Sequence, residues 1–467
     1  MTLPKRFPDR DEAAAVRAEA EKLEPGAESG ETRRVAGRVL GRRGHGKLVF
    51  LDLVDRSGQI QLLCAADRTG PVELDLGDIV GATGRPTKTR RGEPSLAVDE
   101  LQLLAKIKRP LPDTYHGLVD TETRYRRRYL DLLVNDDARR DFVLRSRMIA
   151  AIRRRLDEAG FIEVETPVLQ PRYGGALAEP FVTHHNELDA QLYLRIATEL
   201  YLKRLIVGGL ERVYEIGKDF RNEGVSPEHQ PEFTMLEWYE AYADYMDTMV
   251  RVEELVAGTA QDTIGTTKME FRGEQIDLAP PWRRLKLVDA LEERGLWTRD
   301  EDDLRARLDE RGVDTTNDRS WAQLVDHALS NFIQPDLIEP TIVYDYPIVL
   351  SPFAHATDYD PTLTERFEYF AAGMELGNAY TELTDPGEQA ERFPEQSGKA
   401  GETGDPDYVE ALSYGMPPTG GLGLGVDRLA MVLTGRESIR DVILFPTLRE
   451  RDSYPPKGGW PGRPPVR

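Results

Sequence analysis

The sequence contains one cysteine, Cys64, among 467 residues. A single thiol cannot form an intrachain disulfide or a cysteine-based zinc cluster, and it does not indicate an oxidising compartment. Because Cys64 lies in the apolar run IQLLCA, we expect it in a hydrophobic core. Long apolar runs are also missing: the N-terminal MTLPKRFPDRDEAAAVRAEAEKLEPG has no apolar signal core, and no stretch approaches the length of a membrane span. These absences predict a cytoplasmic protein without a membrane partner.

The two commonest glycine-rich nucleotide motifs are absent as well. No strand-Gly-x-Gly-x-x-Gly unit with a distal acidic residue occurs, and no glycine precedes a Lys-Ser/Thr pair as in a P-loop. The sequence instead has TGGLGLGVDR at 419–428, followed by LAMVLTG at helical spacing. Glycine lets backbone approach a ligand closely, and Arg428 at the start of a helix would reach a polyphosphate. A glycine repeat alone is a weak signal, so its meaning depends on other segments.

Residues 220–239, FRNEGVSPEHQPEFTMLEWY, hold a dense set of candidate ligand-binding side chains. Alternation before a Gly/Ser/Pro loop and an aromatic-rich run after it predict an antiparallel hairpin of 213–220 with 232–239. On a strand, Arg221 and Glu223 would point the same way. A guanidinium offers a planar fork of donors to phosphate or carboxylate, and a nearby carboxylate accepts the amino group of a base. A surface ladder of salt bridges is the alternative explanation.

Two glutamates in ERFEYFAAGMELGNAYTEL have the chemistry of metal ligands. Glu368 and Glu375 are followed closely by Asn378 and Glu382. Magnesium prefers hard oxygen ligands, commonly one or two carboxylates together with phosphate oxygens. Taken alone, however, the segment is better explained as an amphipathic stretch with exposed glutamates.

Charge is unevenly distributed along the chain. The formal net charge is −21, which is unexpected for a protein that binds a nucleic acid, yet residues 33–110 hold 15 Lys/Arg against 9 Asp/Glu. Short alternating runs separated by Gly-containing turns predict that these residues form an OB-fold β-barrel. Such barrels stack single-stranded bases on aromatic side chains beside a positive groove. Taken alone, Phe50 in this segment is better explained as a core phenylalanine.

Together these segments resemble motifs 2 and 3 of the class II aminoacyl-tRNA synthetases, and their details resemble the lysyl-tRNA synthetase family. GFIEVETPVL at 160–169 resembles motif 1 with its proline, Pro167, and residues 174–205 resemble the amino-acid-binding region of the lysine enzymes. GMPPTGG, IRDVILFP and RYRRRYLDL are also similar. The resemblance runs from about Arg33 to Pro446. It implies an α+β fold, in which an N-terminal OB-fold β-barrel precedes a class II catalytic domain built on an antiparallel sheet flanked by helices.

The resemblance also implies an activity and a set of site residues. It implies that the chain activates L-lysine with ATP, as a Mg²⁺-dependent homodimer, and transfers lysine to the terminal adenosine of tRNA(Lys). The implied residues are Arg221 and Arg428 as catalytic groups; Arg221, Glu223, His229, Phe233 and Arg428 for ATP; Glu368 and Glu375 for magnesium; Gly175, Glu199, Glu237, Tyr239, Asn378, Tyr380 and Glu382 for lysine; and Arg43, Phe50, Gln61 and Glu93 for the anticodon.

The sequence divides into five predicted parts. These are an N-terminal helical or flexible extension (1–32), the OB-fold domain (33–110), a linker (111–140), the catalytic domain (141–446, with an insertion of helices at about 265–340) and a flexible tail (447–467). A long amphipathic helix is expected from Asp141 to Gly160, and with motif 1 it would form the dimer interface. The fast return to a strand after Ala65 predicts a shortened helix on the barrel.

Three departures from the family pattern and three alternative functions remain to be weighed. The family usually has proline at Thr198, arginine at Glu179 and asparagine at Gln230. An aspartyl or asparaginyl enzyme shares this architecture, but Glu237 and Glu382 suit a cationic side chain. A lysine-activating paralogue that modifies a protein would lack the barrel, and a non-catalytic tRNA-binding descendant would be expected to have lost the motif arginines.

Overall fold

The computed structural model describes residues 3–44, 47–112, 117–176, 178–397 and 405–449. The chain divides into two compact units, Met1–Asn135 and Asp136–Arg467. Residues 113–116 of the predicted linker and 450–467 of the predicted flexible tail lie outside the described residues. Within the described ranges, no helix has both the length and the apolar character needed to cross a membrane.

The first unit is built on a five-stranded β-barrel, which confirms the predicted OB-fold. The strands are β1 (Arg33–Arg43), β2 (Leu48–Val54), β3 (Gln59–Ala65), β4 (Ile79–Lys88) and β5 (Pro94–Ala105). They pair in the order β1-β2-β3-β5-β4, and β4 pairs back with β1. The helices of this unit are α1 (Ala13–Glu21), α2 (Ala66–Thr69), α3 (Thr121–Arg126) and α4 (Arg128–Val134).

Alternating apolar residues fill the interior of the barrel. Leu51, Leu53 and Leu62 are fully buried beside Cys64, so the predicted core position of the cysteine is confirmed. Helix α1 adds Val16 to the same cluster. Helix α2 is only four residues long, as the short segment after β3 predicts.

The second unit contains a larger sheet and most of the helices. Its strands are β6 (Ile162–Glu163), β7 (Leu169–Gln170), β8 (Val182–His185), β9 (Ala190–Leu194), β10 (Arg212–Phe220), β11 (Glu232–Ala241), β12 (Lys268–Phe271), β13 (Glu274–Asp277), β14 (Arg283–Lys286), β15 (Thr341–Pro347), β16 (Leu363–Ala371), β17 (Met374–Thr381) and β18 (Thr419–Gly425). Its helices are α5 (Asp136–Glu158), α6 (Glu199–Val207), α7 (Tyr245–Ile264), α8 (Leu287–Glu293), α9 (Glu301–Glu310), α10 (Trp321–Phe332), α11 (Pro386–Ser397), α12 (Pro406–Leu412), α13 (Val426–Thr434) and α14 (Ile439–Val442), with 3-10 turns at Gln334–Asp336 and Ile348–Leu350.

The main sheet has eight strands in the order β14-β15-β16-β17-β18-β11-β10-β6. Neighbours are antiparallel except for β14 with β15 and β10 with β6, so the predicted antiparallel sheet is confirmed. Two small sheets, β7-β9-β8 and β12-β13, accompany it. The insertion contains the expected helices α9 and α10, but it also supplies β14, an edge strand of the main sheet that the sequence analysis missed.

The predicted hairpin is formed by β10 and β11, whose register runs from Arg212 opposite Glu240 to Phe220 opposite Glu232. The expectation that Arg221 lies on the strand was wrong, because β10 ends one residue earlier. The Arg221 amide still donates to the Pro231 carbonyl at 2.9 Å, so the backbone remains anchored where the loop begins.

The two faces of the sheet have different roles because side chains alternate along each strand. On β11, Leu236 and Trp238 enter the main core formed with α5, α7 and α13, whereas Glu237 and Tyr239 point to the opposite face. On β18 the leucines enter the same core, and Gly421 and Gly423 face the other way. The sheet therefore presents polar groups and open space on a single face.

Helix α5 begins at Asp136, five residues before the predicted start at Asp141. The acidic pair Asp136 and Asp137 occupies its first turn, where carboxylates interact favourably with the helix dipole. Asp141 is instead buried inside the helix and bonded to Arg436 at 2.6 Å. The amphipathic part of the helix begins only after this charged first turn.

Candidate active site

Two adjoining cavities of about 200 Å³ each open on the polar face of the main sheet. The first cavity is lined by carboxylates, tyrosines and glycines. The second cavity is lined mainly by residues of the β10–β11 loop, β17 and α13. Arg221, Met235 and Asn378 line both cavities, so Arg221 lies on their common wall.

The first cavity brings together most of the predicted lysine-binding residues. Its wall includes Gly175, Glu199, Glu237, Tyr239, Asn378 and Tyr380. Glu382 does not line the cavity: it is 1% exposed, and its carboxylate packs over Gly421 where a Cβ would project. A side chain at Gly421 would collide with Oε1 of Glu382, so the glycine is what brings this carboxylate close to the cavity.

A lysine that the sequence analysis missed stands between two of these carboxylates. Lys203, on α6, is fully buried, and its Nζ lies 2.5 Å from Oε1 of Glu199 and in direct contact with Oε2 of Glu382. Burial lowers the pKa of Lys203, but these two carboxylates raise it by more, so the ammonium stays charged. The spacing of Glu199 and Lys203, four residues apart on a helix, was an available signal.

The pKa of Glu237 is the most informative one in the first cavity. Burial, with Asp219 and Glu199 nearby, raises its pKa to about 8. Its Oε1 accepts the backbone N–H of Thr198 at 3.1 Å, and its Oε2 accepts the Tyr239 hydroxyl at 3.2 Å. These bonds position a carboxyl group that is largely protonated at neutral pH.

The second cavity brings together all of the predicted ATP-binding residues. Its wall includes Arg221, Glu223, His229, Phe233 and Arg428. The Arg221 guanidinium lies 5.1 Å from the centre of the Phe233 ring. Aromatic and cationic groups of this kind suit a base and a polyphosphate, respectively.

His229 and Arg428 are hydrogen-bonded to each other at 3.1 Å through Nε2 of the histidine. Since a guanidinium only donates, Nε2 must accept, and the ring proton sits on Nδ1 and is donated to the Ser226 hydroxyl at 2.8 Å. Burial and the Arg428 charge lower the pKa of His229, which agrees with a neutral ring. Arg428 also donates to the Glu375 carbonyl at 2.6 Å.

The two predicted magnesium ligands occupy different environments. Glu375 lines the second cavity, with one carboxylate oxygen 3.3 Å from Arg428. Glu368 lies on neither wall, because its oxygens accept from the Tyr346 hydroxyl at 2.8 Å and from Arg366 at 2.7 Å. Burial raises the pKa of Glu368 to about 7. Among the described residues, no cluster of three or more His, Cys, Asp or Glu side chains could hold a metal.

The predicted anticodon residues lie close together on the barrel. Arg43 pairs with Phe50 in the β1–β2 register, and Phe50 is half-buried. Gln61 is buried, since its amide donates to Ser95 at 2.8 Å while its carbonyl accepts from Arg43 at 3.0 Å. Glu93 stands just before β5 and is partly exposed. Phe50 and Glu93 are thus more accessible than Gln61.

The three departures from the family pattern have distinct surroundings. The Thr198 N–H that bonds Glu237 is a donor that proline does not have. Gln230 is buried and its carbonyl accepts the Thr447 N–H at 3.0 Å. Glu179 contributes its backbone carbonyl to the Asn222 N–H at 2.8 Å. Of the three, only Thr198 acts directly on a predicted substrate-binding carboxylate.

An antiparallel sheet with two such cavities, preceded by a nucleic-acid-binding barrel, defines a class II aminoacyl-tRNA synthetase. The family model described as tRNA synthetases class II (D, K and N) matches residues 120–449, and the OB-fold nucleic acid binding domain matches residues 34–104.

Curated relatives narrow this class. The chain is 49% identical over 458 residues to the lysine–tRNA ligase of Dehalococcoides mccartyi, covering 94% of this chain and 92% of the relative. It is 50% identical over 434 residues to the enzymes of the same name from Bacillus subtilis (89% and 87% covered) and Shouchella clausii (90% and 86% covered). The chain therefore belongs to the lysine–tRNA ligase family of class II synthetases.

Proposed function

We propose that the chain activates L-lysine with ATP to lysyl-adenylate and pyrophosphate, and then transfers lysine to the 3′-terminal adenosine of tRNA(Lys). The observation that carries this proposal is the pair of adjoining cavities that share Arg221, one lined by buried carboxylates and one by arginines and an aromatic ring. Membership of the lysine–tRNA ligase family supports it.

Activation needs no protein nucleophile. A carboxylate oxygen of lysine bonds to the α-phosphorus of ATP, and the bond from that phosphorus to pyrophosphate breaks. The site must orient two anions and neutralise the charge that develops between them. Arg221 serves both anions from the common wall. Phe233 stacks on adenine, Glu223 accepts its amino group, and Arg428 with His229 holds the outer phosphates.

The first cavity provides for both amino groups of lysine. Gly175 and Glu199 receive the α-ammonium, and Asn378 receives the carboxylate. Glu382 faces the ε-ammonium with Oε1, a buried oxygen that has no hydrogen-bond partner in the described part of the chain. The remaining wall is formed by Glu237, Tyr239 and Tyr380. Because an aspartate or asparagine side chain would meet carboxylates here, the cavity favours lysine as the substrate.

The second cavity suits magnesium through Glu375, since this ion combines one or two carboxylates with phosphate oxygens. Glu375 would hold the ion, which would supply charge neutralisation to the phosphates of ATP. Glu368 is the predicted second ligand, but Tyr346 and Arg366 occupy its oxygens in this structure. Glu375 is therefore the better supported of the two.

In the second step the 3′-hydroxyl of the terminal adenosine bonds to the lysyl carbonyl carbon, and AMP leaves. The barrel binds the anticodon of the same tRNA: Phe50 stacks on a base, Gln61 and Glu93 contact base edges, and Arg43 adds positive charge. The half-buried position of Phe50 supports the stacking role. A protein-modifying paralogue would have no use for this surface.

We also propose a cytoplasmic homodimer. Apolar side chains near motif 1 are unusually exposed, namely Val143 on α5, Ile162 on β6 and Leu169 on β7, each between 46% and 49% accessible. Exposed apolar groups are candidates for an association surface, and these three support the proposed dimer contact.

The decisive experiment is ATP–pyrophosphate exchange with each amino acid in turn, followed by charging of tRNA(Lys). We expect exchange with lysine and not with aspartate or asparagine, and lysine-dependent charging of tRNA. Exchange without charging would favour the protein-modifying alternative, and the absence of both would favour a non-catalytic tRNA-binding protein.

A further inference from the structure

Glu199 and Glu382 are the proposed acceptors of the substrate's two ammonium groups. In each carboxylate, the two oxygens point in different directions. Oε1 of Glu199 lies 2.5 Å from Nζ of Lys203, while its Oε2 is directed towards Gly175 on the cavity wall. Oε2 of Glu382 contacts the same Nζ, while its Oε1 packs over Gly421 where a Cβ would project, beside the cavity-lining Tyr239. Each carboxylate therefore turns one oxygen to Lys203 and the other towards the cavity.

Lys203 has no solvent contact that would let it move away from this position. Its side chain is 0% exposed, and the rings of Phe353 and Tyr380 enclose its ammonium at 4.9 and 5.4 Å. A buried ammonium that lost either carboxylate would lack compensation for its charge, so both contacts are strongly maintained. The two carboxylates are consequently held at a fixed separation.

We propose that Lys203 is a positioning residue that sets the distance between the acceptors of the α-ammonium and the ε-ammonium, and so selects lysine by its length. This inference rests on the proposed function. Ornithine, one methylene shorter, bonds at one end of a fixed pair of acceptors but does not reach the other. Lysine spans both. Lys203 touches neither ammonium group and acts only through Glu199 and Glu382.

The proposal predicts a loss of selectivity rather than a general loss of activity when the Lys203 charge is removed. In Lys203→Met the carboxylates lose their common partner and their fixed separation. Lysine then loses contacts at both ends, whereas ornithine loses only the contact it had. A site with two fixed acceptors should discriminate more than tenfold against an analogue that reaches only one of them. This discrimination should become smaller in Lys203→Met.

The test is pyrophosphate exchange with lysine and with ornithine for the unmodified protein, Lys203→Met and Arg204→Met. Arg204 follows Lys203 on α6 but pairs with Asp405 and Asp407 rather than with the cavity carboxylates, so its variant controls for loss of a cation from this helix. We expect Lys203→Met to raise the lysine KM about tenfold or more and to lower the lysine/ornithine ratio of kcat/KM by a smaller factor, because ornithine loses the one contact it had. The ATP KM and the Arg204→Met parameters should be unchanged.

Equal losses for both amino acids, or a parallel rise of the ATP KM, would overturn the proposal and leave Lys203 a purely structural residue. If Lys203→Met does not fold, Lys203→Gln keeps an N–H donor at the same place without the charge, and the same ratio decides. If the unmodified protein shows no lysine-dependent exchange, it is the proposed function that fails, before any variant is compared.

Discussion

The catalytic unit and the barrel bury their proposed ligand-binding side chains to different degrees. In the catalytic unit, Glu199, Glu237 and Glu382 are at most 5% exposed. On the barrel, Phe50 is half-buried and the Arg43 side chain is 61% exposed. The proposed lysine site thus offers desolvated charges, whereas the proposed anticodon site offers a more open surface.

The difference follows from what each ligand requires. An ammonium group on a short chain can be distinguished only by charges held in fixed positions away from water, where losing one partner of a pair is costly. A single-stranded base offers a flat ring that an accessible aromatic side chain can stack on, with a modest contribution from each contact. Mutations at the proposed lysine and ATP sites should therefore have large effects on amino acid activation, the first step of the reaction. Mutations on the barrel should have smaller effects, confined to the later charging of tRNA.

The largest effect should come from Arg221, the arginine that lines both cavities. Arg221→Ala should abolish adenylate formation in a folded protein, because one guanidinium serves both reacting anions. Loss of a preorganised donor of this kind costs about a hundredfold or more in rate. Pyrophosphate exchange measures it, and Arg212→Ala is the matched control, since Arg212 lies at the far end of β10 and lines neither cavity. Near-normal exchange by a folded Arg221→Ala variant would remove Arg221 from the chemistry.

The next effect should be confined to one substrate. Glu382→Gln leaves the ε-ammonium without a buried anionic partner, which commonly costs about 2–5 kcal/mol. We expect the lysine KM to rise while the ATP KM barely changes. Glu388→Gln, an exposed change on α11, is the control. If the lysine and ATP KM values rose together, Glu382 would be a structural residue and the first cavity would not be the lysine site.

Some parts of the fold are well determined by local sequence patterns. Strand alternation and turn residues predict the hairpin of β10 and β11 and the barrel, because period-two burial leaves a direct trace in the sequence. The edge strand β14 and the early start of α5 were missed. β14 is short and charged, and its pairing with β15 is a long-range contact that no local pattern encodes.

The candidate site was predictable as a set of residues, but its internal contacts were not. The resemblance to known synthetases supplied Glu199 and Glu382, whereas Lys203 between them appears only when α6 packs against the end of β17. Glu368 illustrates the converse, since its spacing from Glu375 suggested a paired site. A buried arginine, Arg366, takes one of its oxygens.

Because the barrel residues are less buried than the lysine-site carboxylates, a mutation on the barrel should have a smaller effect, and only on the later charging of tRNA. Phe50→Ala should leave amino acid activation intact and raise the KM for tRNA, because a stacking residue outside the catalytic unit influences only steps that involve the nucleic acid. Loss of one base–aromatic stack costs about 1–3 kcal/mol. Exchange without tRNA and charging with tRNA, measured on one preparation, separate the two steps.

Leu51→Ala gives the reference for a core defect in the same strand. Leu51 is fully buried, so its truncation should cost about 2–5 kcal/mol of unfolding free energy. Phe50→Ala should lower the Tm of the barrel much less. A Tm loss as large as that of Leu51→Ala would make Phe50 a core residue, and unchanged charging would mean that the barrel does not read the anticodon through this side chain.

The smallest predicted effect is a shift in pH dependence that only a buried site can show. Burial raises the pKa of Glu237 to about 8, so its carboxyl group is largely protonated at neutral pH. Because a bound ammonium favours the ionised form, lysine binding should release a proton, and lysine affinity should rise as pH increases towards 8. The charged groups that face Glu237 and set this balance are Asp219, Glu199, Glu382 and, through the last two, Lys203.

Thr198→Pro should move this profile to higher pH. The Thr198 N–H donates to the Glu237 carboxylate and lowers its pKa, and proline removes that donor. One such bond is worth about 1 kcal/mol, which corresponds to somewhat less than one pH unit. Thr198→Ala keeps the N–H and loses the hydroxyl, which is the smaller of the two Thr198 contributions that lower this pKa, so its profile should shift less than that of the proline variant. Lysine binding measured by calorimetry from pH 6 to 8, in buffers of different ionisation enthalpy, gives both the affinity and the protons released. Superimposable profiles for the proline and alanine variants would mean that this backbone donor does not control Glu237, and that the first cavity owes its proton linkage to another carboxyl group.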